Sequence, residues 1–147
     1  MILASADTLE AWGFGLAASL RVGDIVALSG DLGAGKTTLA RGILRGLGLI
    51  GEAPSPTFTI VQTYDPPEVR LPVWHVDLYR LDTGRDVAEL GLDEAYDLAL
   101  VLIEWPERLG TQLPGRALRI SLDGAGETER RLTVVAPPDW EGRCPPS

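Results

Sequence analysis

The densest chemistry in the chain lies in Gly30-Asp31-Leu32-Gly33-Ala34-Gly35-Lys36-Thr37, a Gly-x4-Gly-Lys-Thr pattern. Small residues let peptide N–H groups converge on phosphate oxygens, and a helix starting there adds the partial positive charge of its N-terminus. Lys36 has the reach to neutralise β- and γ-phosphates, and Thr37 brings the hydroxyl that such loops present to Mg²⁺. Asp31, Leu32, Gly33, Ala34, Gly35, Lys36, Thr37 and Thr38 are therefore the candidate cradle for a nucleoside triphosphate. A glycine-rich turn with one surface lysine would share the pattern. Context speaks against it, because a buried strand is expected to enter the loop and an amphipathic helix to leave it.

Metal chemistry needs an acid beside that loop. Glu104 ends the apolar run 98–103, where a carboxylate would stand at the C-terminal edge of a sheet, beside the phosphate loop. Asp77 follows a second, half-apolar strand, and the residues alone leave the Mg²⁺ ligand open between these two. His75 and Asp77 share one strand face and are a conceivable hydrolytic pair. A lone histidine is more often a packing or hydrogen-bonding residue, and His75 with Cys144 builds no zinc site. Thr57, which follows Ser55-Pro56 in a loop after the first crossover, occupies the region where small GTPases keep a γ-phosphate-sensing threonine. Trp105, beside Glu104, is placed to stack on a base or partner or to cover the core.

These residues need an α/β frame. Leu9, Trp12, Leu16 and Leu20 recur at near-helical spacing, with Asp7 and Glu10 as the expected cap. Residues 25–29 form a nearly all-apolar run of the kind found in buried parallel strands. The glycine loop follows, then a helix from Lys36 to about Leu47 with Gly48 as terminator. Strands are expected over 57–64, 73–79, 98–103, 117–122 and 131–135, with short helical pieces at 86–90 and 92–96. One domain spans residues 1–136, and the proline-rich tail 137–147 is expected to be peripheral. The pattern predicts a three-layer α/β fold like that of P-loop NTPases, with a central, largely parallel sheet.

Composition limits the partners. The net charge is -8, the pI is about 4.6, and no basic run occurs, so extended nucleic-acid binding through the chain's own surface, including direct DNA binding, is disfavoured. The longest apolar stretch is too short for a transmembrane helix, and acids interrupt any N-terminal signal. A cytoplasmic protein is expected.

Four motifs in order narrow the reading: Gly-Asp-Leu-Gly-Ala-Gly-Lys-Thr-Thr at 30–38, Ser-Pro-Thr-Phe at 55–58, His-Val-Asp-Leu-Tyr-Arg at 75–80 and Ile-Glu-Trp-Pro-Glu at 103–107. Together they resemble the TsaE family over about residues 7–135. The resemblance implies a slow ATPase using ATP and Mg²⁺. It also implies association with TsaD and TsaB, whose TsaD subunit transfers a threonylcarbamoyl group to tRNA, and a role in resetting that transferase between turnovers. Contact with tRNA would come mainly through the complex. By motif match, Lys36 and Thr37 would handle phosphates and metal, Glu104 would act at the metal, Asp77 and Thr57 would couple nucleotide state to activity, and Trp105 would lie near nucleotide or partner. Two rivals share the loop: a nucleoside or small-metabolite kinase, with Arg80 and Arg85 as lid arginines, and a nucleotide-gated interaction module with incidental hydrolysis. A small GTPase is disfavoured because no Asn-Lys-x-Asp motif is present.

Overall fold

In a computed structural model, residues 2–31, 33–51, 61–79, 90–124, 129–140 and 143 are described. Among them, seven strands form one sheet: β1 (Ile2–Leu3), β2 (Ile25–Ser29), β3 (Val61–Tyr64), β4 (Val73–Asp77), β5 (Leu100–Glu104), β6 (Leu118–Gly124) and β7 (Arg130–Val135). Their order is β1-β7-β6-β2-β5-β4-β3. The central four, β6-β2-β5-β4, run parallel, and antiparallel strands flank them on both sides. Helices α1 (Ala6–Leu16) and α2 (Lys36–Gly46) cover one face; α3 (Leu92–Leu98) and a 3₁₀ segment, Pro106–Gln112, cover the other. This is the expected three-layer α/β architecture.

Strand alternation builds two cores. Val26, Leu28, Leu100 and Leu102 face α1 and α2, while Ile25, Ala27, Val101 and Ile103 face α3. Each strand is thus apolar on both sides, as a covered parallel sheet requires. The two helices on the first face approach closely. A Cβ on Gly42 would overlap the Glu10 carbonyl, so only glycine permits this crossing.

Local expectations hold in part. Helix α1 is capped by Ser5, not Asp7. The extended Ser5 backbone lets its hydroxyl accept the Thr8 N–H, while Thr8 Oγ1 accepts the Ser5 N–H at 3.0 Å. Asp7 instead lies in the first turn, where its charge complements the helix dipole. Leu98, read as the start of a strand, is the last residue of α3 and is 68% exposed. An apolar run alone does not distinguish a helix end from a strand start. Strand β4 ends at Asp77 rather than Tyr79, and residues 57–60 and 86–89 lie outside the described residues. No helix among the described residues is long and apolar enough to cross a membrane.

Of the segment beyond Pro137, residues 138–140 and 143 are described. Trp140 is 3% exposed and packs in the first core, its indole N–H donating to the Arg116 carbonyl at 3.1 Å. The Arg143 guanidinium lies 4.3 Å from the centre of the Trp140 ring and reaches the Asp24 carboxylate and the Ser19 carbonyl. An indole brings apolar area that outweighs the proline-rich context around it. Trp140→Ala should therefore destabilise the fold by about 3 kcal/mol or more, lowering the melting temperature by on the order of 10 °C. Thermal unfolding checks this, and an unchanged transition would return Trp140 to the surface.

Candidate functional site

Three parallel strands end at one line. Leu28 on β2 pairs with Glu104 on β5, and Glu104 pairs with Asp77 on β4, so all three mark the C-terminal edge of the sheet. β2 ends there at Ser29, and α2 begins at Lys36. Gly35 caps that helix at φ 108, and a Cβ there would lie 2.6 Å from Leu9 Cδ2. The left-handed backbone favours glycine there, whereas the Leu9 methyl is the movable end of a side chain.

Thr37 and Glu104, 67 residues apart, meet across this edge. The Thr37 hydroxyl is 3.1 Å from Glu104 Oε1 and 3.2 Å from Oε2. Glu104 is 3% exposed, and its Oε2 lies 2.7 Å from Nε2 of the equally buried His75. His75 thus hydrogen-bonds Glu104, as a lone histidine was expected to bond some partner, and does not pair with Asp77. The Asp77 carboxylate accepts the Tyr79 N–H at 2.9 Å instead.

Lys36 is buried above the same edge. Its ammonium donates to the Gly30 and Asp31 carbonyls and sits 4.0 Å from the centre of the Trp105 ring, which leans on Tyr79 at 4.9 Å. Trp105 holds φ at 62, a left-handed conformation that costs a non-glycine residue about 1 kcal/mol. Burial pulls the Lys36 ammonium below the ordinary lysine range; Glu104, Glu107, Asp77 and Asp31 oppose that shift. Burial likewise pushes the Asp77 carboxyl above its ordinary range, against the Tyr79 N–H and with help from Glu104.

Arg130 is the residue that sequence reasoning missed. From β7 it donates through Nε to the Ala34 carbonyl at 3.0 Å and through Nη2 to the Gly33 carbonyl at 3.3 Å. It closes a cavity of about 270 Å³ that Ala6, Leu9, Gly33, Ala34, Gly35 and Thr38 also line. Nothing local marks it, since the contact spans 96 residues. Leu32, Thr57, Arg80 and Arg85 lie outside the described residues.

The donor set suits a hard cation. Thr37 Oγ1 and the Glu104 carboxylate are adjacent oxygen donors, and no cluster of three His, Cys, Asp or Glu side chains able to hold a metal occurs among the described residues. Mg²⁺ typically takes one or two protein oxygens and completes its shell with phosphate and water. The residues present therefore fit Mg²⁺ carried on a phosphate ligand.

Comparison with known proteins identifies the family. The family described as "Threonylcarbamoyl adenosine biosynthesis protein TsaE" matches residues 3–132. The chain is 47% identical over 115 residues to the Synechocystis tRNA threonylcarbamoyladenosine biosynthesis protein TsaE, covering 75% of this chain and 71% of that one. The Bacillus subtilis protein of the same name is 41% identical over 121 residues, with coverage of 82% and 74%. The crystal structure of Bacillus subtilis YdiB superposes with a TM-score of 0.82 at 33% identity, covering 98% of this chain and 89% of that one.

The desolvated Asp77 has a measurable consequence for stability. Its folded-state pKa lies above the ordinary 3.8, so between those values the folded chain holds the proton more tightly than the unfolded chain. Ionisation then weakens the fold as pH rises through that window. Asp77→Asn carries no such penalty and keeps an acceptor for the Tyr79 N–H. Its melting temperature should gain on that of the wild type from acid to neutral pH, as thermal unfolding across the range would record. A constant or narrowing difference would mean that the carboxylate is well solvated.

Proposed function

The chain belongs to the TsaE family, and from that membership we propose that it is a Mg²⁺-dependent ATPase. It serves threonylcarbamoyladenosine formation in tRNA by binding the TsaD–TsaB transferase and resetting it between turnovers. The observation that carries the ATPase part is the meeting of Thr37 and Glu104 beside the buried Lys36. A flexible ammonium, a hydroxyl and a carboxylate at a helix N-terminus are the parts needed to bind and polarise a triphosphate.

Each residue has a role in this reading. Lys36 exchanges its loop carbonyls for phosphate oxygens, supplying a point charge in a poorly solvated site. Thr37 Oγ1 and Glu104 would hold Mg²⁺, which would supply positive charge to offset the charge of the transferring phosphoryl group. The acids around Lys36 oppose a bare triphosphate, so binding should itself depend on the metal. Arg130 and the cavity beside Thr38 take the base, with the planar guanidinium as a stacking surface. Asp77 and Tyr79 lie at the mouth of the site, where nucleotide state is passed to the transferase, and Thr57 is assigned the same duty. An acidic chain fits work on tRNA through partners rather than through its own surface.

Two variants test the chemistry. Lys36→Ala should keep the fold and weaken ATP binding by roughly 30-fold or more in an equilibrium titration. Glu104→Gln should still bind ATP but lose roughly 100-fold in single-turnover hydrolysis. Wild-type affinity in the first, or a wild-type rate in the second, would overturn the assignment concerned. Phosphate release with and without the TsaD–TsaB pair separates a coupled ATPase from an interaction module with incidental turnover. Stimulation by the pair, together with repeated tRNA modification that stops when Glu104 is changed, is the expected result.

A further inference from the structure

His75 has one hydrogen-bonded nitrogen and one that is not. Nε2 lies 2.7 Å from Glu104 Oε2, while Nδ1 is buried without a hydrogen-bond partner among the described residues. A carboxylate oxygen accepts, so Nε2 carries a proton directed at Glu104. An unpaired buried polar atom costs roughly 1–3 kcal/mol, which an aliphatic side chain would avoid. The flanking positions show that an aliphatic would fit, since Val73 on the same strand face and Leu102 in register with His75 are both fully buried. Packing does not explain an imidazole here. What it adds is one directed N–H on Glu104.

That N–H is held by rigid structure. Strand β4 is paired on both sides, with Gln62 opposite His75 on β3 and Leu102 opposite it on β5. Among the described residues the Thr37 hydroxyl is the other group hydrogen-bonded to the Glu104 carboxylate, and in the ATPase reading Thr37 would turn its oxygen to a metal. We propose that His75 is a positioning residue for Mg²⁺ binding: through Nε2–H it fixes Oε2 of Glu104 so that Oε1 stays aimed at the metal when Thr37 turns away. The proposal rests on the ATPase reading and assigns His75 no proton transfer. Partners of this kind typically tune metal affinity by 10–100-fold.

His75 is the only histidine in the chain, so its imidazole nitrogens can be followed by NMR without assignment by mutagenesis. In the wild type, the spectrum should show the Nε2–H tautomer, and its signals should shift when Mg²⁺ and a nonhydrolysable ATP analogue are added. Two variants supply the second arm: His75→Gln, whose amide N–H₂ reaches as far as Nε2, and His75→Asn, whose amide is too short. Mn²⁺ binding in the presence of the analogue, read by electron paramagnetic resonance, should weaken roughly 10-fold or more in His75→Asn and be largely restored in His75→Gln. Equal affinities in the two variants would overturn the proposal. So would imidazole signals that stay still while analogue binding is recorded, which decides the matter even if a variant fails to fold. A wild type that binds neither Mn²⁺ nor analogue would overturn the ATPase reading itself, and this proposal with it.

Discussion

The contact between the first turn of α2 and the last residue of β5 constrains everything around it. The Thr37 hydroxyl can meet Glu104 at 3.1 Å only if β2 and β5 are adjacent, parallel and in a register that brings Leu28 beside Glu104. It also requires the loop after β2 to turn back within a few residues, and Gly35 at φ 108 allows that return. A one-residue slip of β5 would send Glu104 to the α3 face and Ile103 to the site. The hydrophobic alternation that builds the two cores therefore also aims the carboxylate.

Placing charge at that edge opposes stability. Lys36 and Asp77 are both held partly out of water, and each is pushed toward its neutral form by burial. Trp105 adds a left-handed backbone, tied down by its N–H on the Leu28 carbonyl and followed by Pro106. Such strain persists only where surrounding structure holds it. Here that structure is the double-faced sheet, with Leu28, Leu102 and Ile103 fully buried beneath the polar edge. The docked Trp140 extends the same apolar layer on the α1 side.

The polar groups form a chain across three elements: Thr37 on α2, Glu104 on β5 and His75 on β4. Opposite them Lys36 lies over the Trp105 ring, and that ring leans on Tyr79 beyond the end of β4. A change of ligand at Lys36 would thus be felt at Trp105 and Tyr79, the latter 39% exposed and available to a partner. This path is local and contiguous, and under the proposed function it would carry nucleotide state to the surface.

The sequence by itself determined the parts whose signal is short-range. The glycine loop, the amphipathic helix after it, the alternating strands and the acid ending β5 are all written in spacings of a few residues, where backbone geometry fixes what faces what. Four motifs in order also named the family, and residues 3–132 match it. The tertiary structure alone decided the rest. Arg130 reaches Ala34 across 96 positions, His75 chooses Glu104 over Asp77, and Trp140 folds back onto Arg116. Even the cap of α1 depended on Ser5 adopting an extended backbone rather than on which acid stood nearby. These contacts depend on strand order and register, which arise from packing the whole chain at once, and no local period encodes them.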